Sequence, residues 1–128
     1  MKGRSIFELD VNGEKVGFRF GMLASAYTEE ISGVSIYEVF KRIGQGLSIQ
    51  SLLFYYYGGL RAYNEFNGIK KEITIPMVSE ILEEIGSELA HEVYMDSIKV
   101  YMENPGDQKA KEEIVKEGDK KEGEQTAA

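Results

Sequence analysis

Cysteine is absent from the 128-residue chain, which excludes a disulfide framework, a thiolate metal site and a cysteine nucleophile. Histidine is nearly absent, the single one being His91. No apolar run approaches the roughly 20 residues needed to span a bilayer. The opening Met1-Lys2-Gly3-Arg4-Ser5 leads into an alternating stretch rather than a signal-peptide core, so a cytoplasmic protein with no membrane partner is expected. Basic charge is also short: 15 Lys and Arg stand against 22 Asp and Glu, a formal net charge of −7. Phosphate-backbone affinity rests on clustered cations, so no nucleic-acid partner is expected.

Catalytic patterns are missing as well. No Walker loop or G-x-G-x-x-G fingerprint occurs, and Gly44-Gln45-Gly46 and Gly58-Gly59 lack the preceding strand and the lysine that phosphate cradling requires. His91-Glu92 opens an H-E-x-x-H pattern that fails at Met95. Glu88 and His91 have the E-x-x-H spacing of di-iron bundles, but one such motif supplies only part of a site unless an oligomer brings copies together. No catalytic, cofactor or metal site is expected, and the chain reads as a non-enzyme.

What is present is organised around residues 47–66, a leucine- and tyrosine-rich stretch read as one helix. Leu53, Tyr56, Tyr57, Leu60, Tyr63 and Asn64 share a face at three- and four-residue spacing, while Phe54 and Tyr55 carry aromatic surface round the other side. A helix apolar most of the way round must be covered by other elements or a second chain. Gly58-Gly59 in its middle costs about 1 kcal/mol per glycine relative to alanine, which points to a close backbone approach or a bend there.

Before it, residues 5–20 read as a β-hairpin turned at Asn12-Gly13, pairing Val11 with Glu14, Leu9 with Val16, Phe7 with Phe18 and Ser5 with Phe20. This puts Phe7, Leu9, Val16, Phe18 and Phe20 on one face. A lone hairpin is marginal in water, so that face is expected to pack on the helices, with partner binding or strand addition at its open edges as the other use. A helix over 22–31 stops at Ser32-Gly33, and Ser35-Ile36-Tyr37-Glu38 forms a capping box for a short helix over 36–43. After Asn67-Gly68 comes a linker with Ile69, Ile73 and Ile75 that is expected to lie extended on the core. Thr74 and Pro76 then start a final helix from Met77 to about Met102, with Val78, Ile81, Leu82, Ile85, Leu89 and Val93 as its stripe. This stripe is expected to seat on the Leu53, Tyr56, Leu60 and Tyr63 side of the central helix.

The expected fold class is thus mainly α, a domain of about four helices over 1–103 with an N-terminal hairpin. Residues 104–128, charged throughout and with Ile114 and Val115 as their only bulky apolar side chains, are expected to be a disordered acidic tail.

The segment Phe18-Arg19-Phe20-Gly21 before a helix, Ile31-Ser32-Gly33-Val34-Ser35 before a short one, Leu60-Arg61-Ala62-Tyr63 closing the central helix and Ile73-Thr74-Ile75-Pro76 opening the last resemble the tail assembly chaperones of long-tailed phages and prophages. The resemblance spans Phe7 to Met102. It implies a helical, non-catalytic protein of the bacterial host cytoplasm that binds the tape measure protein and the tail tube protein and self-associates into a homo-oligomer. Many proteins of that kind are made in two forms, the longer arising by frameshifting near the end of the short reading frame. Expected partner contacts are Phe7, Phe18 and Phe20 on the hairpin and Phe54, Tyr55 and Arg61 on the second side of the central helix. The rival reading is a small helical regulator or adaptor with a helix-turn-helix, for which Lys41-Arg42 is the nearest approach to a basic reading helix.

Overall fold

Asn12 and Gly13 take positive φ values of 53° and 80°, the backbone of a type I′ turn, and this two-residue turn fixes the register of everything N-terminal to the helices. In the computed structural model, which describes residues 5–46 and 48–103, strands β1 (Ser5–Val11) and β2 (Glu14–Phe20) pair antiparallel. Val11 meets Glu14, Leu9 meets Val16, Phe7 meets Phe18 and Ser5 meets Phe20, as the turn requires. Five helices follow: α1 (Met22–Ser32), α2 (Ile36–Gly46), α3 (Ile49–Phe66), α4 (Ile75–Ile85) and α5 (Ser87–Glu103). The architecture is mainly helical with an N-terminal hairpin. By contact the chain divides into a body, Arg4–Ser97, and a second unit made of its ends, of which the described part is the close of α5 from Ile98. The expected tail over 104–128 lies outside the described residues.

The helix ends follow local chemistry. Gly33, at φ 79°, closes α1 in the left-handed conformation and donates its N–H to the Glu29 carbonyl. Ser48 caps α3 by accepting from the Ser51 amide at 3.1 Å, and Thr74 caps α4 by accepting from the Met77 amide at 3.3 Å. At α2 only half of the expected capping box forms. Ser35 Oγ accepts from the Glu38 amide at 3.1 Å, but the Glu38 carboxylate turns to Arg42 at 2.9 Å. The next amide, that of Ile36, donates to Glu29 of α1 at 2.8 Å. Helix α2 also runs through Gly44 to Gly46, past its expected end at Ile43.

The larger departure is at Gly86. The run expected as one helix from Met77 to Met102 is two, because Gly86 adopts φ 92°, ψ 153°, a backbone that glycine reaches without a Cβ clash. The Ile69–Ile73 linker, expected to lie on the core, keeps Ile69 44% exposed and Ile73 only half-buried.

Helix α3 is the core element, buried nearly all round from Tyr55 to Asn64. Its two central glycines are the contact points. An added methyl at Gly58 would lie 2.1 Å from Thr28 Oγ1 and 2.4 Å from the Ala24 carbonyl oxygen of α1, and one at Gly59 would lie 2.5 Å from the Phe20 ring. The glycines therefore let α1 and the hairpin approach the axis of α3. Gly17 does the same for Tyr63, whose ring covers it while its hydroxyl donates to Glu8 Oε2 at 2.6 Å. That hydrogen bond, with Lys15 at 3.5 Å, holds the Glu8 carboxyl below its usual range.

Gly58→Ala is expected to lower stability by about 1–3 kcal/mol, since backbone must shift, even though alanine is the better helix former. Gly44→Ala in α2 meets nothing within 4 Å and is expected to be neutral or stabilising. Urea midpoints of the two variants check the pair, and a stabilised Gly58→Ala protein would refute the close packing of α1 on α3.

Candidate partner-binding groove

The residues expected to meet a partner do not stay together on one surface. Phe18 and Phe20 are fully buried and Tyr55 is 1% exposed. Phe20 stacks on Tyr55 at 4.6 Å between ring centroids and meets Tyr56 edge-on at 5.8 Å, while Phe18 meets Tyr56 edge-on at 5.1 Å. Tyr55 is further enclosed by Phe40 of α2 at 5.5 Å and Tyr94 of α5 at 5.3 Å, and its hydroxyl shares a 2.6 Å hydrogen bond with Ser97. These three residues are core and are not presented to a partner by this fold. The hairpin face packs on the chain's own helices, the first of the two uses its sequence allowed.

Arg61 is half-buried and committed within the chain. Its guanidinium lies 3.9 Å from the centroid of Tyr27, donates to the Tyr57 hydroxyl at 3.1 Å and reaches Glu30 at 3.3 Å. It ties α3 to α1. Phe7 and Phe54 are half-buried, Phe7 lying 6.1 Å from Phe20. Lys41 and Arg42 are exposed on α2, with Arg42 paired to Glu38 within its own helix. Glu88 and His91 are exposed on α5, and among the described residues no three His, Cys, Asp or Glu side chains gather as a metal site would need.

Unfilled apolar surface lies elsewhere, in a groove of about 520 Å³ between the start of α3, the end of α4 and the start of α5. Helix α3 contributes Ile49, Leu52 and Leu53, α4 contributes Leu82, and α5 contributes Ala90 and Tyr94. Ile49 is 67% exposed, while Leu52, Leu53 and Leu82 are half-buried. The groove exists because Gly86 breaks the helical run, setting α4 and α5 as separate walls, with Gly86 and Ser87 themselves lining it. Leu53, expected to be covered by the last helix, is instead part of this open surface. A second hollow of about 710 Å³, between the hairpin tip, the linker and α4, is lined by Lys15, Lys71, Glu80 and Glu84 among others and is far more polar.

Below the groove the floor is held by polar bonds made inside the core. The Tyr56 hydroxyl donates to the Ala90 carbonyl, and Ser97 Oγ donates to the Tyr94 carbonyl at 2.7 Å. Burial pushes the phenols of Tyr56 and Tyr94 up, Tyr94 to about 12. Sequence reasoning found the apolar residues of α3 and α4 but not the groove, whose one signal was Gly86 within a leucine- and glutamate-rich run. Among the described residues no helix is long and apolar enough to cross a membrane. No protein-family model, curated protein or solved structure matches this chain.

Proposed function

We propose that this protein is a non-catalytic tail assembly chaperone of phage or prophage type, acting in the host cytoplasm. It binds the tape measure protein, keeps that protein's apolar helices from associating before the tube forms, and meets the tail tube protein and further copies of itself during assembly. The observation that carries the reading is the open groove of Ile49, Leu52, Leu53 and Leu82 on a chain whose formal net charge is −7. An unfilled apolar trench between helices suits reversible capture of another helix, and like charge keeps loaded complexes from co-aggregating. The order of hairpin, helix, short helix and central helix also agrees with the residues that carry the family resemblance.

Co-expression with the tape measure protein of the same genome is the test. The soluble fraction of that protein is expected to rise several-fold when this chain is present. An unchanged fraction removes the chaperone reading.

A further inference from the structure

We propose that the groove between α3, α4 and α5 takes an amphipathic helix about two turns long, apolar on the buried side and flanked by lysine or arginine. The source of that helix rests on the chaperone function proposed above; the site itself is argued from the groove.

Each wall repeats at helical spacing. Ser79, Leu82 and Glu83 line it from α4, with Gly86 just past its end, and Ser87, Ala90, His91 and Tyr94 line it from α5. The α5 set runs i, i+3, i+4, i+7, one face of a helix over two turns or about 10 Å, and the α4 set runs i, i+3, i+4. With Ile49, Leu52 and Leu53 of α3 they are three helical ridges around a space that no described element fills. Ridges of this kind are packed by a further helix.

Charge selects the flank. From Ile75 to Ile98 the chain has Glu80, Glu83, Glu84, Glu88, Glu92 and Asp96 and no lysine or arginine. All six are exposed, and Glu83 lines the groove itself. Against them stand the N-terminal ends of α3 and α5, each equivalent to about half a positive charge that fades within a turn. At α3 that end is already served by the Ser48 hydroxyl. The carboxylates win, and a cationic flank is favoured. They also disfavour a second copy of the same acidic face. Residues 104–128, with Ile114 and Val115 as their only bulky apolar side chains, lack the stripe to fill the groove.

The test titrates three labelled synthetic helices into the full-length protein and follows fluorescence anisotropy at low and high salt. The helices share one leucine stripe at i, i+3, i+4, i+7 and differ only in lysine, glutamine or glutamate flanks. The lysine-flanked helix is expected to bind about tenfold or more tighter than the glutamate-flanked one and to lose that margin at high salt. Leu53→Asp is expected to abolish binding, and Glu83→Lys, at an exposed position, to shrink or reverse the flank preference with the fold intact.

Four results overturn the proposal: no helix binds; all three bind alike; a full-length dimer dissociates with Leu53→Asp, which assigns the groove to a second copy; or affinity rises in an Ile114→Asp, Val115→Asp protein, which assigns it to the chain's own end. The functional reading fails separately. If the lysine-flanked helix binds yet the tape measure protein gains no solubility, the groove stands and the chaperone function falls. If the Leu53→Asp protein still raises that solubility, the function stands on another surface.

Discussion

Phe20→Ala is expected to cost about 3–5 kcal/mol of folding stability, the range for removing a large aromatic from a packed core. Phe20 has no exposed surface and sits at the meeting of four rings: Tyr55 stacked at 4.6 Å, Tyr56 edge-on at 5.8 Å, and Phe7 and Phe18 each at 6.1 Å. Its ring also fills the space over Gly59, so truncation opens a hole between β2 and α3 that α3 cannot close without shifting away from α1 at Gly58. Since domains of this size hold only about 5–15 kcal/mol in all, the variant is expected to be partly unfolded near physiological temperature. Phe54→Ala, at a half-buried position on the same helix, is expected to lose less than half as much. Equilibrium denaturation of both proteins separates core from surface: a Phe20→Ala protein as stable as the parent would return that ring to the list of partner contacts.

The hairpin was legible to the residue, and the reason is local. A two-residue Asn-Gly turn permits one register, and alternation then assigns Phe7, Phe18 and Phe20 to a common face. What alternation leaves open is the identity of the cover. The same apolar face serves a partner or the chain's own α3, and only the tertiary fold puts Tyr55 and Tyr56 against it. Helical spacing says of Tyr55 and Arg61 only that both fall off the Leu53, Tyr56, Leu60 and Tyr63 side of α3. In the fold Tyr55 is enclosed by the hairpin, α2 and α5, whereas Arg61 is clamped to α1 through Tyr27 and Glu30.

Where the sequence reading failed, a single residue usually outweighed a strong average. Ten or more positions from Met77 onward favour one unbroken helix by propensity and stripe, yet Gly86 at φ 92° divides it. The consequence is functional as well as architectural, because an unbroken helix would not present Leu82 and Ala90 as opposing walls of one groove. Half of the capping box at Ser35 was lost to Arg42, which draws the Glu38 carboxylate away, while the neighbouring Ile36 amide is taken by Glu29 of another helix. The Glu29 contact depends on how α1 and α2 meet, which no local pattern contains.

Alkaline unfolding is expected to begin above pH 10 and to be steep, because the core that hides the aromatics also keeps their phenols neutral. Tyr56 is fully buried with its hydroxyl on the Ala90 carbonyl, and Tyr94, 5% exposed, is pushed up to about 12. A phenol raised in the folded state contributes full stability below its unfolded value of about 10 and loses it as pH rises toward the folded value. Across that window the unfolded chain releases protons that the folded chain retains, so each such tyrosine lowers stability by about 1.4 kcal/mol per pH unit above 10. At pH 11.5 the two together remove about 4 kcal/mol, a large share of a marginal total. Tyr94→Phe keeps the ring and deletes the titration, so it is expected to shallow the decline by about half while leaving neutral-pH stability within about 1 kcal/mol. Denaturant midpoints collected from pH 7 to about pH 12, with tyrosinate absorbance followed in parallel, check both parts. Six other tyrosines add to the absorbance, so the decisive signal is the difference between the parent and Tyr94→Phe. If that difference rises through pH 10 ahead of any loss of helix, the Tyr94 phenol is open to water and the sealed aromatic core described for α3 is wrong.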